Sequence, residues 1–321
     1  MFTALAFGAV LAVSPPQDAV APPSAQVPQE APIRLEDVIS NPRRLEDATE
    51  QFVGEVAAPV RRRGYARWHN GVCVGVANLA PEVGQAIADR VSDRARELGL
   101  VAGEPGCEPS ILVVATRDAT PFTAQFVAMR PRLFRTGATG MDRGGAAFRR
   151  FLETDRPVRW WTVSQPTDAD TGAPTVRMPG LMYGLGYANA SGSSAQDFAP
   201  KTLLRNSGRL VSQYRQDIKR TFVIVDVDRL NGASVEQLGD YISMVSLAQI
   251  DQDADTSSFD TVLNLFDNPA AVPGMTSWDT AYLQGLYGTA WYRINQGSQV
   301  QAIAREVEER YRDRDAGEEP R

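Results

Sequence analysis

Residues Ser257–Gly288, SSFDTVLNLFDNPAAVPGMTSWDTAYLQGLYG, decide the fold that the sequence predicts. Thr276 and Asp279 in this stretch have the spacing of a capping box, in which two side chains three residues apart bond each other's backbone N–H groups. A helix is therefore expected to begin there and to run towards Gly288.

An apolar helix is predicted directly upstream of this stretch. Gly239–Ile250 reads GDYISMVSLAQI, and its apolar residues are spread around most of the helix circumference. A helix of this kind is buried on nearly all sides. Ser234 and Gln237 form an S-x-x-Q capping box, which indicates where this helix begins.

The two segments together resemble the C-terminal part of matrixin-type zinc metalloproteases. In that family a twisted sheet is followed by a helix with HExxH, a loop with a third zinc ligand, the Met-turn and a C-terminal helix. Thr261–Phe266, TVLNLF, is similar to the Met-turn region, and Met275–Gly288 is similar to the start of the last helix. The resemblance implies an α+β, zincin-like fold: a twisted mixed sheet with a β-α-β start, a buried helix over residues 234–249 and C-terminal helices.

The residues that would bind zinc are missing from this pattern. Asp240, Tyr241 and Met244 occupy the matching helix positions, Leu263 stands where the Met-turn methionine is expected, and His69 is the sole histidine of the chain. Zinc catalysis needs three protein ligands, an open coordination position and a base. Tyrosine cannot replace the carboxylate base, and a thioether is a poor zinc ligand. The sequence therefore predicts a degenerate zinc-site helix with no zinc proteolysis, no catalytic residue and no cofactor.

A second resemblance covers most of residues 65–288. The segments RWHNGVCVGV, GCEPSILVVAT and LGDYISMVSLAQI resemble a family of uncharacterised exported proteins of alphaproteobacteria. This resemblance implies export and a related fold, and it brings no known activity.

The chain has two cysteines, and the local pattern around them is β-α-β. Cys73 lies in the β-like run VCVGVA, Cys107 lies just before SILVVAT, and residues 81–98 between them have the periodicity of a helix. Parallel neighbouring strands would bring both cysteines together at their N-terminal ends. A disulfide is the favoured interpretation, and a metal-binding pair or two free thiols are the alternatives.

Other elements are predicted from apolar runs and turn signals. VRWWTVSQ (158–165) and TFVIVDV (221–227) read as strands, and residues 208–215 as a short edge strand. The turn DADTG after the first of these predicts a hairpin with a partner strand near 174–179. Residues 119–134 and 142–154 read as helical.

Trp160 and Trp161 are adjacent on a predicted strand and therefore face opposite sides of the sheet. Core packing is expected for both. The alternative is that one of them lines a groove, where zincin folds place an extended peptide against an edge strand.

Asp251, Asp253 and Asp255 follow the buried helix as D-x-D-x-D. Alternating carboxylates suit a divalent ion such as Ca²⁺. Thr256 and Val262 stand where an EF-hand loop needs Gly and Glu, so the segment is no EF-hand. A divalent-ion site and a solvated acidic loop are both compatible with this pattern.

His69 is interpreted as a structural or surface residue. A catalytic histidine needs an oriented nucleophile and an orienting partner, and no G-x-S-x-G is present in the sequence.

The N-terminus predicts an exported protein. MFTALAFGAVLAV is an uncharged apolar run, shorter than the roughly 20 residues that span a bilayer, and a Pro/Ala-rich segment follows it. The predicted organisation is a signal peptide at 1–25, a Pro/Ala-rich linker with a short helix at 26–64, a degenerate zincin-like domain at 65–313 and a disordered tail at 314–321. The mature chain is expected in the periplasm or secreted, without a transmembrane segment. The net charge of −6 argues against a nucleic-acid partner.

The predicted function is non-catalytic binding or scaffolding in the cell envelope, with a peptide or an envelope protein as partner. The alternative is a hydrolase of unknown chemistry that uses the same cleft. Convergent polar groups in the cleft would favour the enzyme, whereas a cleft filled by Tyr241 and Met244 would favour the structural role.

Overall fold

The computed structural model describes residues 31–59, 64–134, 143–173, 213–289 and 296–317. The helices are α1 (Leu35–Val38), α2 (Pro42–Val56), α3 (Pro81–Glu97), α4 (Ala119–Met129), α5 (Pro131–Phe134), α6 (Gly145–Glu153), α7 (Val235–Leu247), α8 (Ser277–Gly288) and α9 (Gln296–Gly317). The strands are β1 (Val74–Ala77), β2 (Ile111–Thr116), β3 (Val158–Asp168) and β4 (Tyr214–Asp226). The predicted signal peptide, the predicted strand near 174–179 and the last four residues of the predicted tail lie outside the described residues.

A mixed sheet with strand order β1-β2-β4-β3 lies at the centre of the described residues. β1 and β2 are parallel and α3 connects them, which confirms the predicted β-α-β unit. β2 lies between β1 and β4, in keeping with its mostly apolar sequence. β3 runs antiparallel to β4 at the edge of the sheet. The fold is therefore α+β, as the sequence predicts.

β4 is longer than the sequence predicts. A separate edge strand over 208–215 and a main strand from Thr221 were expected, but one strand runs from Tyr214 to Asp226. Its first half is polar, so it lacks the apolar run that identifies a buried strand. Arg215 and Asp217 in this half are both buried. Their ion pair, with Nε and Oδ1 2.9 Å apart, offsets the cost of removing the two charges from water. Residues 208–212 lie outside the described ranges.

The adjacent tryptophans of β3 lie in two different cores, one on each face of the sheet. Trp160 belongs to the larger core with α3 and α7, and Trp161 to a smaller core with α4 and α6. The Trp161 ring packs edge-to-face on Phe148 at 4.9 Å. Trp160 is 4% exposed and Trp161 is 2% exposed, which confirms that both tryptophans are packing residues.

Residues 33–59 belong to the larger core, although the sequence predicts a linker up to residue 64. Phe52 of α2 is fully buried and stacks on Trp278 of α8 with ring centroids 5.4 Å apart. Trp278 Nε1 also donates a 3.0 Å hydrogen bond to the carbonyl of Ile33. The apolar face of α2, which lies within the segment that the sequence predicts as a linker, is therefore covered by the C-terminal helices.

Cys73 and Cys107 form a disulfide with Sγ atoms 1.99 Å apart. The bond joins the residue before β1 to the loop before β2, at the N-terminal ends of two parallel strands. This is the arrangement that the β-α-β pattern predicts.

Both predicted capping boxes are present. Ser234 and Gln237 cap α7, and Thr276 and Asp279 cap α8. Asp279 is fully buried and also accepts hydrogen bonds from Thr261 Oγ1 at 2.5 Å and from the backbone N–H of Val262 at 2.8 Å. Its carboxylate therefore joins the turn at residues 262–264 to the start of α8.

Asp279 gives the stability of the protein a defined pH dependence. Burial raises the pKa of its carboxyl group to about 6, against the opposing effect of the hydrogen bonds from Thr261, Thr276 and Val262. In the unfolded chain the same group ionises near pH ~4. The folded state therefore holds a proton that the unfolded state has already released, and this residue's contribution to stability declines as the pH rises from about 4 to 6. Carboxyl ¹³C NMR is expected to show Asp279 titrating near pH 6.

The matched control is Asp279→Asn, which cannot titrate. The unfolding free energy of the wild type relative to Asp279→Asn should decrease as the pH rises from about 4 to 6. A carboxyl resonance of Asp279 that titrates below pH ~4 would show that hydrogen bonding outweighs burial.

Candidate functional site

Asp240 of α7, the first of the three predicted zinc-site positions, lies in a buried ion-pair network. Arg90 of α3 donates to it from Nε at 2.8 Å and from a terminal nitrogen at 2.7 Å, and Arg94 donates from Nε at 3.1 Å. The backbone N–H of Met275 donates to Oδ2 at 3.0 Å. Although burial opposes ionisation, the bonds from Arg90, Met275 and Arg94 hold the pKa of Asp240 below its ordinary value. The carboxylate therefore joins α3, α7 and the loop before α8.

Two glycines allow this network to form. A Cβ atom at Gly239 would lie 2.9 Å from Cγ of Arg90, and one at Gly274 would lie 2.6 Å from Oδ2 of Asp240. Larger residues at either position would push apart the groups that meet at the carboxylate.

Tyr241, the second of the three predicted zinc-site positions, packs between two aromatic rings. It contacts Trp160 of β3 edge-to-face at 6.1 Å and Phe266 at 4.8 Å. Burial raises the pKa of its phenol, so the hydroxyl stays protonated. Met244 is fully buried in the larger core, and Leu263 packs against that core in the turn at 262–264.

The three predicted zinc-site positions therefore do not converge on one point. Asp240 is bonded to α3, whereas Tyr241 packs on β3, and Met244 is a core residue. In the parts of the chain that the structure describes, no group of three or more His, Cys, Asp and Glu side chains is arranged to hold a metal ion. Every residue of α7 from Leu238 to Leu247 is buried.

The acidic loop after α7 is bonded to arginines near and within α6. Asp251 pairs with Arg143 at 2.5 Å, and Asp253 pairs with Arg150 at 2.5 Å and with Arg156 at 2.9 Å. Burial opposes ionisation of Asp251, but the bonds from Arg143 hold its pKa below the ordinary value.

Asp255 is bonded locally and does not join the other two carboxylates. It accepts hydrogen bonds from the hydroxyl of Ser257 at 2.6 Å and from its backbone N–H at 3.2 Å. The structure thus gives each of the three aspartates a separate partner and does not bring them together as a divalent-ion site. Asp251 and Asp253 therefore attach this loop to α6 and to the residues that flank that helix.

A cavity of about 170 Å³ lies beside His69, between the loop before β1 and the first half of β4. Its lining among the described residues is Trp68, His69, Asn70, Gly71, Ser110, Asp217, Ile218 and Lys219. Asp217 is buried and bonded to Arg215 at 2.9 Å and to Lys219 Nζ at 3.3 Å. Burial and the nearby Arg215 lower the pKa of the His69 imidazole. We call this region the His69 cavity.

The His69 cavity lacks the geometry of a nucleophile–base pair among the described residues. His69 makes no hydrogen bond to any of them, and the hydroxyl of Ser110 accepts a hydrogen bond from the N–H of Cys73 at 3.0 Å. Nucleophilic catalysis needs the base within hydrogen-bond reach of the nucleophile.

The sequence alone predicts neither the arginine partners of Asp240 nor the residues that surround His69. Arg90 and Arg94 lie about 150 positions from Asp240, and no local pattern indicates that they meet. For the cavity, the alternation RQDIKR over 215–220 was the available signal, since alternate residues of a strand share one face. It places Arg215, Asp217 and Lys219 together, although it does not place His69 beside them.

Comparisons with protein-family models, curated protein sequences and solved structures give no match for this chain. Over the ranges that the structure describes, no helix has both the length and the apolar character needed to cross a membrane.

Proposed function

We propose that the protein is an exported, non-catalytic binding or scaffold protein of the cell envelope, built on a degenerate zincin-like fold. The observation that carries the proposal is the ion-pair network of Asp240, because it uses a zinc-site position to hold helices together. The hydrolase alternative needs an open cleft along α7. That space is filled by Tyr241 against Trp160 and Phe266, and Met244 is fully buried.

The order of elements supports the zincin-like origin. A sheet is followed by the buried helix α7, a loop, the turn at 262–264 and then the capped helix α8. This is the order that the resemblance to matrixin-type proteases implies. A binding role for an extended peptide is supported by β3, one of the two edge strands of the described sheet, because peptides bind sheets by strand addition.

Export to the periplasm or the medium is supported by the apolar N-terminal run and by the disulfide, since disulfides persist in oxidising compartments. In a Gram-negative host, the full chain is expected in the fraction released by osmotic shock. A variant with Leu5→Arg and Leu11→Arg, which breaks the apolar run, should stay in the cytoplasm. Equal cytoplasmic retention of both proteins would contradict export.

The non-catalytic role is tested with a panel of peptide and ester substrates, assayed with and without added zinc. No saturable turnover is expected from the purified protein. Tyr241→Phe is the informative variant, because it keeps the ring packing and removes only the hydroxyl. Turnover that this variant abolishes would support the hydrolase alternative and would contradict our proposal.

A further inference from the structure

The His69 cavity carries hydrogen-bond donors that have no protein partner among the described residues. The side chains of His69 and Asn70 line it without a hydrogen bond to that part of the chain, and both residues are exposed. The side chain of Lys219 is 30% exposed and shares its ammonium group with Asp217 at 3.3 Å, which uses one of its three donors. Donors that converge on a cavity mark a site for an acceptor-rich ligand.

Positive charge exceeds negative charge around this cavity. Asp217 is the carboxylate in the lining, and it is bonded to both Arg215 and Lys219. Arg67, on the adjoining backbone, donates to the carbonyls of Leu286, Tyr287 and Thr289 at the end of α8 and adds a further positive charge. Two cations on one carboxylate leave an excess positive charge, and His69 supplies another when protonated.

We propose that the His69 cavity binds an oxyanion, the carboxylate or phosphate group of a small ligand, through Lys219, His69 and Asn70. The cavity volume of about 170 Å³ is several times the space that one water molecule needs. A charge-assisted hydrogen bond from Lys219 gives the anion its main attachment, and the imidazole and the amide of Asn70 supply further donors. None of the described lining residues belongs to α7, and the proposal does not depend on the zincin resemblance.

Protonation of His69 is coupled to the bound anion. Burial lowers the pKa of His69, as do the nearby Arg215, Arg67 and Lys219, whereas Asp217 raises it. A bound oxyanion adds negative charge beside the imidazole and therefore favours its protonated form. Oxyanion affinity should consequently increase as the pH falls through the pKa of His69.

His69 is the sole histidine of the chain, so its ring signals in NMR need no assignment. The protein is titrated with inorganic phosphate and, separately, with acetate at constant ionic strength set by chloride. A saturable shift of the His69 signals and a rise of its titration midpoint are expected. Saturation by phosphate alone or by acetate alone identifies the oxyanion that the site prefers, and both outcomes support the proposal.

Lys219→Gln is expected to weaken oxyanion binding about tenfold, or roughly 1.4 kcal/mol, because it removes the charge-assisted hydrogen bond and leaves the weaker donors of the site. Arg149→Gln is the matched control, because it makes the same charge change on the exposed face of α6, outside the cavity. Both variants are checked for an unchanged unfolding midpoint.

Shifts that neither ion saturates, or that the two variants reduce equally, would overturn the site. That outcome would leave the zinc and turnover tests of α7 unaffected, so failure of this inference is distinguishable from failure of the proposed function.

Discussion

Replacing Asp240 with alanine is expected to lower the free energy of unfolding by about 2–4 kcal/mol. Asp240 is 1% exposed, and its carboxylate accepts hydrogen bonds from Arg90, Arg94 and the N–H of Met275. Its removal leaves two arginines and a backbone donor without their acceptor. The value lies towards the lower part of the range for broken buried pairs, because Arg90 is 40% exposed and regains water. Urea unfolding of the two proteins at neutral pH measures the difference.

The arginines should be less sensitive than the aspartate. Arg90→Gln leaves Asp240 with Arg94 and Met275, so its cost is expected to be about 1 kcal/mol. A double-mutant cycle between Asp240→Ala and Arg94→Gln should show a coupling energy above zero. Equal stability of wild type and Asp240→Ala would mean that the network is not structural.

Removing the disulfide is expected to cost about 3–4 kcal/mol, because the bond closes a loop with a sequence separation of 34 residues. The double variant Cys73→Ala and Cys107→Ala and each single variant should lose a similar amount, since any of the three removes the cross-link. Chemical denaturation under non-reducing conditions measures the loss, and reduced wild-type protein gives an independent value.

Thiol labelling separates this effect from cavity formation at Cys73. Non-reduced wild-type protein should show no reactive thiol, even after denaturation. Labelling of either cysteine, together with equal stability of wild type and double variant, would contradict a structural disulfide.

The sequence predicts the elements whose signals are local. The β-α-β unit follows from two apolar runs around an amphipathic helix, and the starts of α7 and α8 follow from capping boxes at Ser234 and Thr276. These patterns depend on residues only a few positions apart. The disulfide could be predicted because the parallel strands fix where both cysteines lie.

The parts that the sequence could not predict depend on distant partners. The polar half of β4 is stable inside the sheet because Arg215 and Asp217 neutralise each other, and its sequence alone has no apolar strand pattern. Residues 33–59 read as part of a linker because the aromatic residues that bury α2, Trp278 and Phe259, come from the other end of the chain.

The role of the aspartates after α7 also depends on partners that are distant in the sequence. Alternating carboxylates are typical of a cation site, and the arginines that bind Asp251 and Asp253 come from Arg143–Arg156, about 100 positions away. A charged residue in a pattern of metal ligands therefore needs its countercharge to be known before its role can be assigned.

The zinc content of the purified protein tests the central claim most directly. The protein is equilibrated with excess Zn²⁺, desalted without chelator and measured by elemental analysis alongside Asp240→Asn. We predict that neither protein retains stoichiometric zinc and that added zinc does not change the unfolding temperature, because Asp240 is held by arginines and Tyr241 and Met244 are packing residues. One zinc ion per wild-type chain, absent from Asp240→Asn, would contradict a structural role for the α7 helix.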